Sequence, residues 1–76
     1  MNYFLSFELP KHGDALEIHL DSEGLEHLML LLTKLRHDKG HLHLMTPEWG
    51  GKDLSSNKLG EDNSLINHVK IFLWEK

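Results

Sequence analysis

Histidine is the residue type that most invites a chemical interpretation here, because the chain has 7 histidines among 76 residues. His41 and His43 lie two positions apart in an alternating segment, so a strand would point both side chains to one face. His19 and His68 have the parity to join them, together with Glu17. Such a cluster could bind zinc, copper or nickel, or form a surface that changes charge between about pH 5 and 8. Their spacing matches no metal-binding signature, so we predict neither a metal site nor a cofactor.

A tryptophan flanked by glycines is the second notable feature, in the segment Glu48-Trp49-Gly50-Gly51. Trp49 is either a plug packed on a sheet edge, which a small core would favour, or an anchor for a binding partner. The glycines match no phosphate-binding pattern. We expect Gly40, Gly50 and Gly51 to shape turns.

Exposed apolar surface is the third feature, because Phe72 and Trp74 fall on the outer face of the last predicted strand. Either the long loop covers this face and brings Trp49 and Leu54 with it, or the face is an interface with a second copy or another protein. We therefore predict a set of partner-binding residues: His41, His43, Glu48, Trp49, His68, Phe72 and Trp74.

Signatures of catalysis are poor. The chain has no cysteine nucleophile and no GxSxG motif, and Ser55, Ser56 and Ser64 lie in polar loop sequence without a placed base. We predict that the protein is not an enzyme and has no catalytic residues.

Composition limits the remaining classes. The 76 residues predict a single domain spanning positions 1–76, and the absence of cysteine excludes disulfides. Twelve acidic residues against 8 Lys plus Arg give a net charge of −4, which argues against nucleic-acid binding and suits a basic partner protein. No apolar run approaches the ~18 residues of a membrane span, and the first residues do not resemble a signal peptide. We expect a cytoplasmic protein.

The elements that must position these residues follow from periodicity. Alternation predicts strands over residues 2–9, 15–20 and 41–45, and another within 63–75. A helix opens at Asp21-Ser22-Glu23 and ends before Gly40. Its predicted core stripe contains Leu25, Leu28, Met29, Leu32 and Leu35. Residues 46–64 form a long loop that we expect to be partly ordered, with a short strand or a turn of helix.

This order, β-β-α-β-long loop-β, predicts an α+β fold with two layers, in which one helix packs on a mostly antiparallel four-stranded sheet. The opposite sheet face would then be uncovered. It would carry Glu17, His19, His41, His43, Met45, His68, Lys70, Phe72 and Trp74.

Residues 40–51 (GHLHLMTPEWGG), Leu54-Ser55, residues 63–71 (NSLINHVKI) and Trp74 together resemble the immunity protein 32 family. The family consists of small bacterial proteins predicted to protect a cell from a polymorphic toxin encoded beside them. The resemblance covers about residues 14–74 and implies a non-enzymatic cytoplasmic protein that binds and blocks a toxin domain. The positions that match are His41, His43, Trp49, Gly50, Gly51, Asn67, His68 and Trp74.

Our leading hypothesis is therefore an inhibitory protein that blocks a toxin through Trp49, the long loop and the uncovered sheet face. One alternative is a small homodimer in which the same face pairs with its own copy. Another is a histidine-based metal-binding protein.

Overall fold

The architecture comes from a computed structural model that describes residues 2–38 and 40–75. The elements in chain order are the strands β1 (Leu5–Leu9) and β2 (Glu17–Leu20), the helix α1 (Ser22–Asp38), the strand β3 (His41–Met45), a short 3-10 helix (Pro47–Trp49), and the strands β4 (Ser64–Leu65) and β5 (His68–Phe72). Every strand pair is antiparallel. The predicted α+β class is confirmed.

The strands form two sheets instead of one four-stranded sheet. One sheet has the order β2-β1-β4, and the other pairs β3 with β5. The predicted last strand breaks because Ile66 N still donates to Phe7 O (2.8 Å), whereas Asn67 O already accepts from Thr46 N (3.0 Å). The chain thus leaves β1 and joins β3 within two residues.

The start of α1 depends on Asp21, as the sequence predicts. The carboxylate of Asp21 accepts hydrogen bonds from Gly24 N (2.7 Å) and from Phe4 N (3.1 Å), which ties the first turn of the helix to the segment before β1. Gly24 is buried there, and a Cβ at this position would overlap Phe4 O. Among residues 2–38 and 40–75, no helical segment has both the length and the apolar character needed to cross a bilayer.

The core lies between α1 and the two sheets. Leu5, Phe7, Leu44 and Leu54 form its buried centre. The helix contributes Leu28, Leu31 and Leu35.

The predicted core stripe of α1 is therefore only partly right. Leu25, Met29 and Leu32 are exposed by 46%, 55% and 43%. Leucines surround much of this helix, so the apolar spacing alone does not identify which side faces the sheet.

The long loop runs beside β1. Leu54 is completely buried, Ser55 N donates to Leu5 O (2.8 Å), and Leu5 N donates to Ser55 Oγ (2.9 Å). The sequence left open whether this loop covers the outer face with Phe72 and Trp74 or leaves it as an interface. Leu54 enters the core instead of lying on that face, and Leu59 is 63% exposed.

Candidate functional site

The exposed side of the β3–β5 ribbon carries most of the residues that the sequence singles out. Its register places His41 opposite Phe72, His43 opposite Lys70, and Met45 opposite His68. Residues directly opposite one another in an antiparallel pair project from the same face. The alternate residues Leu42, Leu44, Val69 and Ile71 pack toward the core and hold the ribbon in place.

The histidines of this ribbon contact one another. His43 Nδ1 lies 2.8 Å from His68 Nε2, which is a hydrogen-bond distance. The His41 ring lies 4.8 Å from the His43 ring and stacks on Phe72 at 5.3 Å, measured between ring centroids. In the His43–His68 bond one nitrogen must donate while the other accepts, so the two facing nitrogens share one proton.

The pKa of His43 is lowered by partial desolvation and by the nearby His41, His68 and Lys70 charges. Its imidazole is therefore mostly neutral at pH 7. A neutral imidazole can both donate and accept a hydrogen bond, so His43 does not add a fixed charge to this surface.

The two tryptophans extend this surface at its ends. Trp49 lies 6.0 Å from His68, and Trp74 stacks near Phe72 at 6.4 Å. Trp49 is 58% exposed and Trp74 is 78% exposed, so the interpretation of Trp49 as a core plug is wrong. We call this surface the histidine–aromatic face and define it by His41, His43, Trp49, His68, Phe72 and Trp74.

Backbone turns fix the position of Trp49. Thr46 O accepts hydrogen bonds from Trp49 N and Gly51 N, both at 2.9 Å, which closes the turn around the 3-10 helix. The buried Thr46 hydroxyl donates to Asn67 Oδ1 (2.7 Å) and thereby ties this turn to the segment leading into β5. Glu48 is exposed on the same turn.

The three predicted turn glycines all lie at positions that disfavour a side chain. Gly40 has φ +101° and Gly50 has φ +85°, values that side-chain-bearing residues rarely adopt. Gly51 has no room for a Cβ because Met45 O lies against it.

His19 and Glu17 do not join the histidine–aromatic face, contrary to the prediction of one shared sheet face. They lie on the other sheet, where His19 Nε2 is 2.9 Å from Glu17 Oε1 and 3.8 Å from Glu8 Oε1. Strand parity places residues on a side of a strand, but it does not say whether two strands belong to one sheet.

Glu8 is the residue that the sequence interpretation missed. Its side chain is completely buried, although alternation along the first strand places it on the face opposite the core residues Leu5 and Phe7. The carboxylate accepts hydrogen bonds from Leu59 N (2.9 Å), Gly60 N (3.0 Å) and Asn63 Nδ2 (2.8 Å), and from the Ser6 hydroxyl. Desolvation raises the pKa of Glu8, but these four hydrogen bonds outweigh it and lower the pKa to about 2.

Glu8, Glu17 and His19 also form the one group, among residues 2–38 and 40–75, in which three possible metal-ligand atoms lie within 4.8 Å of one another. The Glu8 oxygens are already occupied by four donors, and three of those donors belong to the end of the long loop. The combined cluster of His19 with His41, His43 and His68 does not form.

No protein-family model, no curated protein and no solved structure matches this chain.

Proposed function

We propose that this chain is a non-catalytic, cytoplasmic inhibitor that binds a toxin domain through the histidine–aromatic face, as the resemblance to the immunity protein 32 family implies. One observation carries the proposal. Six of the seven predicted partner-binding residues meet on one surface, through the ring contacts that link His41, His43, His68, Phe72, Trp49 and Trp74. The seventh, Glu48, is exposed beside Trp49.

The chemistry of this surface suits protein recognition. Tryptophan is enriched among the residues that dominate binding energy at interfaces, and Trp49 and Trp74 are both largely exposed. The strand ladder and the turn at Thr46 hold the surface in place, so little conformational entropy is lost on binding.

Charge favours a basic partner. The net charge of −4 would steer a positively charged domain toward this protein. Arginine or lysine side chains of the partner could stack on the exposed indoles of Trp49 and Trp74. Lys70 lies opposite His43 in the middle of the ribbon. We therefore place the basic groups of the partner at the two ends of the face, where Glu48 lies on the turn beside Trp49 at one end and Glu75 follows Trp74 at the other.

The arrangement of polar groups supports a non-catalytic role. A cleft of 240 Å³ is lined by Tyr3, Phe4, Pro47, Ser55, Ser56 and Asn57. This lining has no carboxylate or imidazole that could serve as a general base, and the volume is below the range of about 300–1,000 Å³ typical of ligand pockets.

The test uses the protein encoded beside the gene for this chain, which the resemblance implies is a toxin. Coexpression of the chain should restore growth to cells producing the toxin, and the purified proteins should bind in calorimetry. Trp49→Ala and Trp74→Ala should each raise the dissociation constant about 30-fold, since a hot-spot residue contributes about 2 kcal/mol of binding free energy. Leu59→Ala is the matched control, because it also removes a large exposed apolar side chain but lies outside the face.

Two outcomes would contradict the proposal. In the first, the chain does not protect cells from the neighbouring toxin. In the second, both tryptophan variants bind and protect as well as Leu59→Ala does, which would remove the histidine–aromatic face from the mechanism.

A further inference from the structure

Two histidine side chains of the β3–β5 ribbon point at each other across the strands. His43 lies opposite Lys70, and His68 lies opposite Met45, so His43 and His68 are diagonal neighbours on one face. Diagonal neighbours in an antiparallel pair are about 7–8 Å apart at the backbone, a gap that aromatic side chains can bridge. The strand pairing thus brings His43 Nδ1 within 2.8 Å of His68 Nε2, although the two residues are 25 positions apart in sequence.

The separation of these two nitrogens also suits a shared metal ion. A nitrogen ligand lies about 2.0–2.1 Å from a bound transition-metal ion. Two such ligands are then about 2.8–3.0 Å apart at neighbouring corners of a square-planar site, and about 3.3–3.4 Å apart in a tetrahedral site. The observed 2.8 Å fits the square-planar arrangement, which is typical of Cu²⁺ and Ni²⁺.

The pair can present two free lone pairs to such an ion. In the hydrogen bond between the rings, one of the two facing nitrogens carries a proton. When an ion binds, that proton is transferred through solvent to the other nitrogen of the same ring, and both facing nitrogens become ligands. The lowered pKa of His43 keeps its ring mostly neutral at pH 7. The contact between the rings is exposed, so each ring can turn its lone pair toward the ion.

The group of Glu8, Glu17 and His19 is less suitable for a metal ion. The Glu8 carboxylate already accepts four hydrogen bonds, so an ion there would have to break the attachment of the long loop to β1. At the ribbon, an ion replaces the exposed hydrogen bond between His43 and His68.

We propose that His43 Nδ1 and His68 Nε2 chelate one divalent transition-metal ion, and that the site binds Cu²⁺ more tightly than Zn²⁺. Neutral imidazole is a ligand for both ions, and among the divalent first-row ions Cu²⁺ forms the most stable complexes with such ligands. The prediction that the chain has no metal site depends on spacing along the sequence, and spacing does not show contacts between strands. The pair belongs to the histidine–aromatic face, but binding of the ion requires no toxin.

Calorimetric titration of the full chain, without an affinity tag, with a Cu²⁺ salt tests the site. The wild-type protein should bind one equivalent. His43→Ala and His68→Ala should each raise the dissociation constant by at least about tenfold, because even the loss of a group that only orients a metal ligand costs about 10–100-fold in affinity. His12→Ala is the matched control, since it removes an exposed imidazole outside the ribbon and should bind like the wild type.

The fluorescence of Trp49 reports where the ion binds. The Trp49 ring lies 6.0 Å from the His68 ring, and Cu²⁺ quenches the emission of a nearby indole. The chain has two tryptophans, so Trp74→Phe leaves Trp49 as the remaining emitter. Stoichiometric Cu²⁺ should quench this variant. Adding His68→Ala should move the quenching to much higher Cu²⁺ concentration, whereas adding His12→Ala should leave the curve unchanged.

His41→Ala distinguishes a two-histidine site from a three-histidine site. The His41 ring makes an edge contact with His43 at 4.8 Å and stacks on Phe72 at 5.3 Å. Its removal should raise the dissociation constant for Cu²⁺ far less than His43→Ala or His68→Ala does. An equal loss of affinity would overturn the assignment of two ligands.

Three further results would overturn the proposal: wild-type affinity for Cu²⁺ no higher than that of His43→Ala and His68→Ala, an equal loss of affinity in His12→Ala, or Zn²⁺ bound as tightly as Cu²⁺. Circular dichroism of the metal-free variants shows whether they fold, which separates the loss of a ligand from the loss of structure. Because these titrations contain no toxin, failure of this proposal can be distinguished from failure of the proposed function.

Discussion

Replacing the buried Glu8 by glutamine should destabilise the protein severely, although the two side chains have nearly the same size. All four groups around the carboxylate donate hydrogen bonds to it. Glutamine replaces one of the two accepting oxygens by an amide NH2 group, which is itself a donor. At least one donor among Leu59 N, Gly60 N and Asn63 Nδ2 then loses its partner. The end of the long loop loses its attachment to β1.

The magnitude follows from the pKa of Glu8. The pKa falls from the ordinary value of 4.5 to about 2 in the folded protein. Each pKa unit corresponds to 1.36 kcal/mol, so the folded state gains at most about 3 kcal/mol from keeping this carboxylate ionised. Small domains shift their melting temperature by about 4–8 °C per kcal/mol, so Glu8→Gln should melt about 12–24 °C lower at pH 7.

The pH dependence gives a second, sharper measurement. Because folding lowers the pKa of Glu8, its contribution is fully present above about pH 4.5 and is lost as the pH falls from there toward 2. Urea unfolding followed by circular dichroism should therefore show the largest difference between wild type and Glu8→Gln at pH 7. The difference should shrink steadily through that acidic range.

Glu61→Gln provides the control, because it makes the same chemical change at an exposed position. It should alter the free energy of unfolding by less than about 0.5 kcal/mol. The reasoning would be refuted if Glu8→Gln matched this control at pH 7, or if its deficit stayed constant from pH 7 down to pH 2.

Three further measurements test the packing of the fold and the His43–His68 contact. Gly24→Ala should destabilise the protein in chemical denaturation although alanine favours helices by about 1 kcal/mol, because the added Cβ would overlap Phe4 O. An unchanged or higher stability would contradict that contact. Leu54→Ala should cost about 2–5 kcal/mol in the same assay because Leu54 is fully buried, whereas a loss below 1 kcal/mol would mean that the loop does not enter the core. An NMR titration of His43 should give a pKa below 6.5 that rises in His68→Ala, and no change in that variant would show that the two rings are uncoupled.

Four of the six residues of the histidine–aromatic face could be grouped from the sequence because they lie in one antiparallel ribbon. Within such a ribbon, alternation decides which side chains share a face, and His41, His43 and Phe72 follow that rule. His19 does not, because the chain bends at Ile66 and Asn67 and the sheet divides there. That bend depends on backbone hydrogen bonds to two different strands, and the residue pattern of a single segment carries no signal for it.

The burial of Glu8 could not be predicted for a related reason. A charged residue in an alternating strand is normally solvated, so the pattern assigns Glu8 to solvent. The groups that make its burial possible, Leu59, Gly60 and Asn63, are supplied by a segment more than 50 residues away. Likewise, leucines at nearly every turn of α1 hide which of its sides meets the sheets.

The position of β1 between β2 and β4 has a consequence for the order of folding. The hairpin of β1 and β2 and the helix α1 are made of local contacts and can form early. The loop donors that bind Glu8 lie more than 50 residues further along the chain. The carboxylate therefore stays hydrated until the distant loop closes on β1. If loop closure follows the transition state, the hydrogen bonds of Glu8 are absent from that state. Replacing Glu8 would then mainly speed unfolding and leave the refolding rate nearly unchanged. The residue would then determine how long the native state persists more than how fast it is reached.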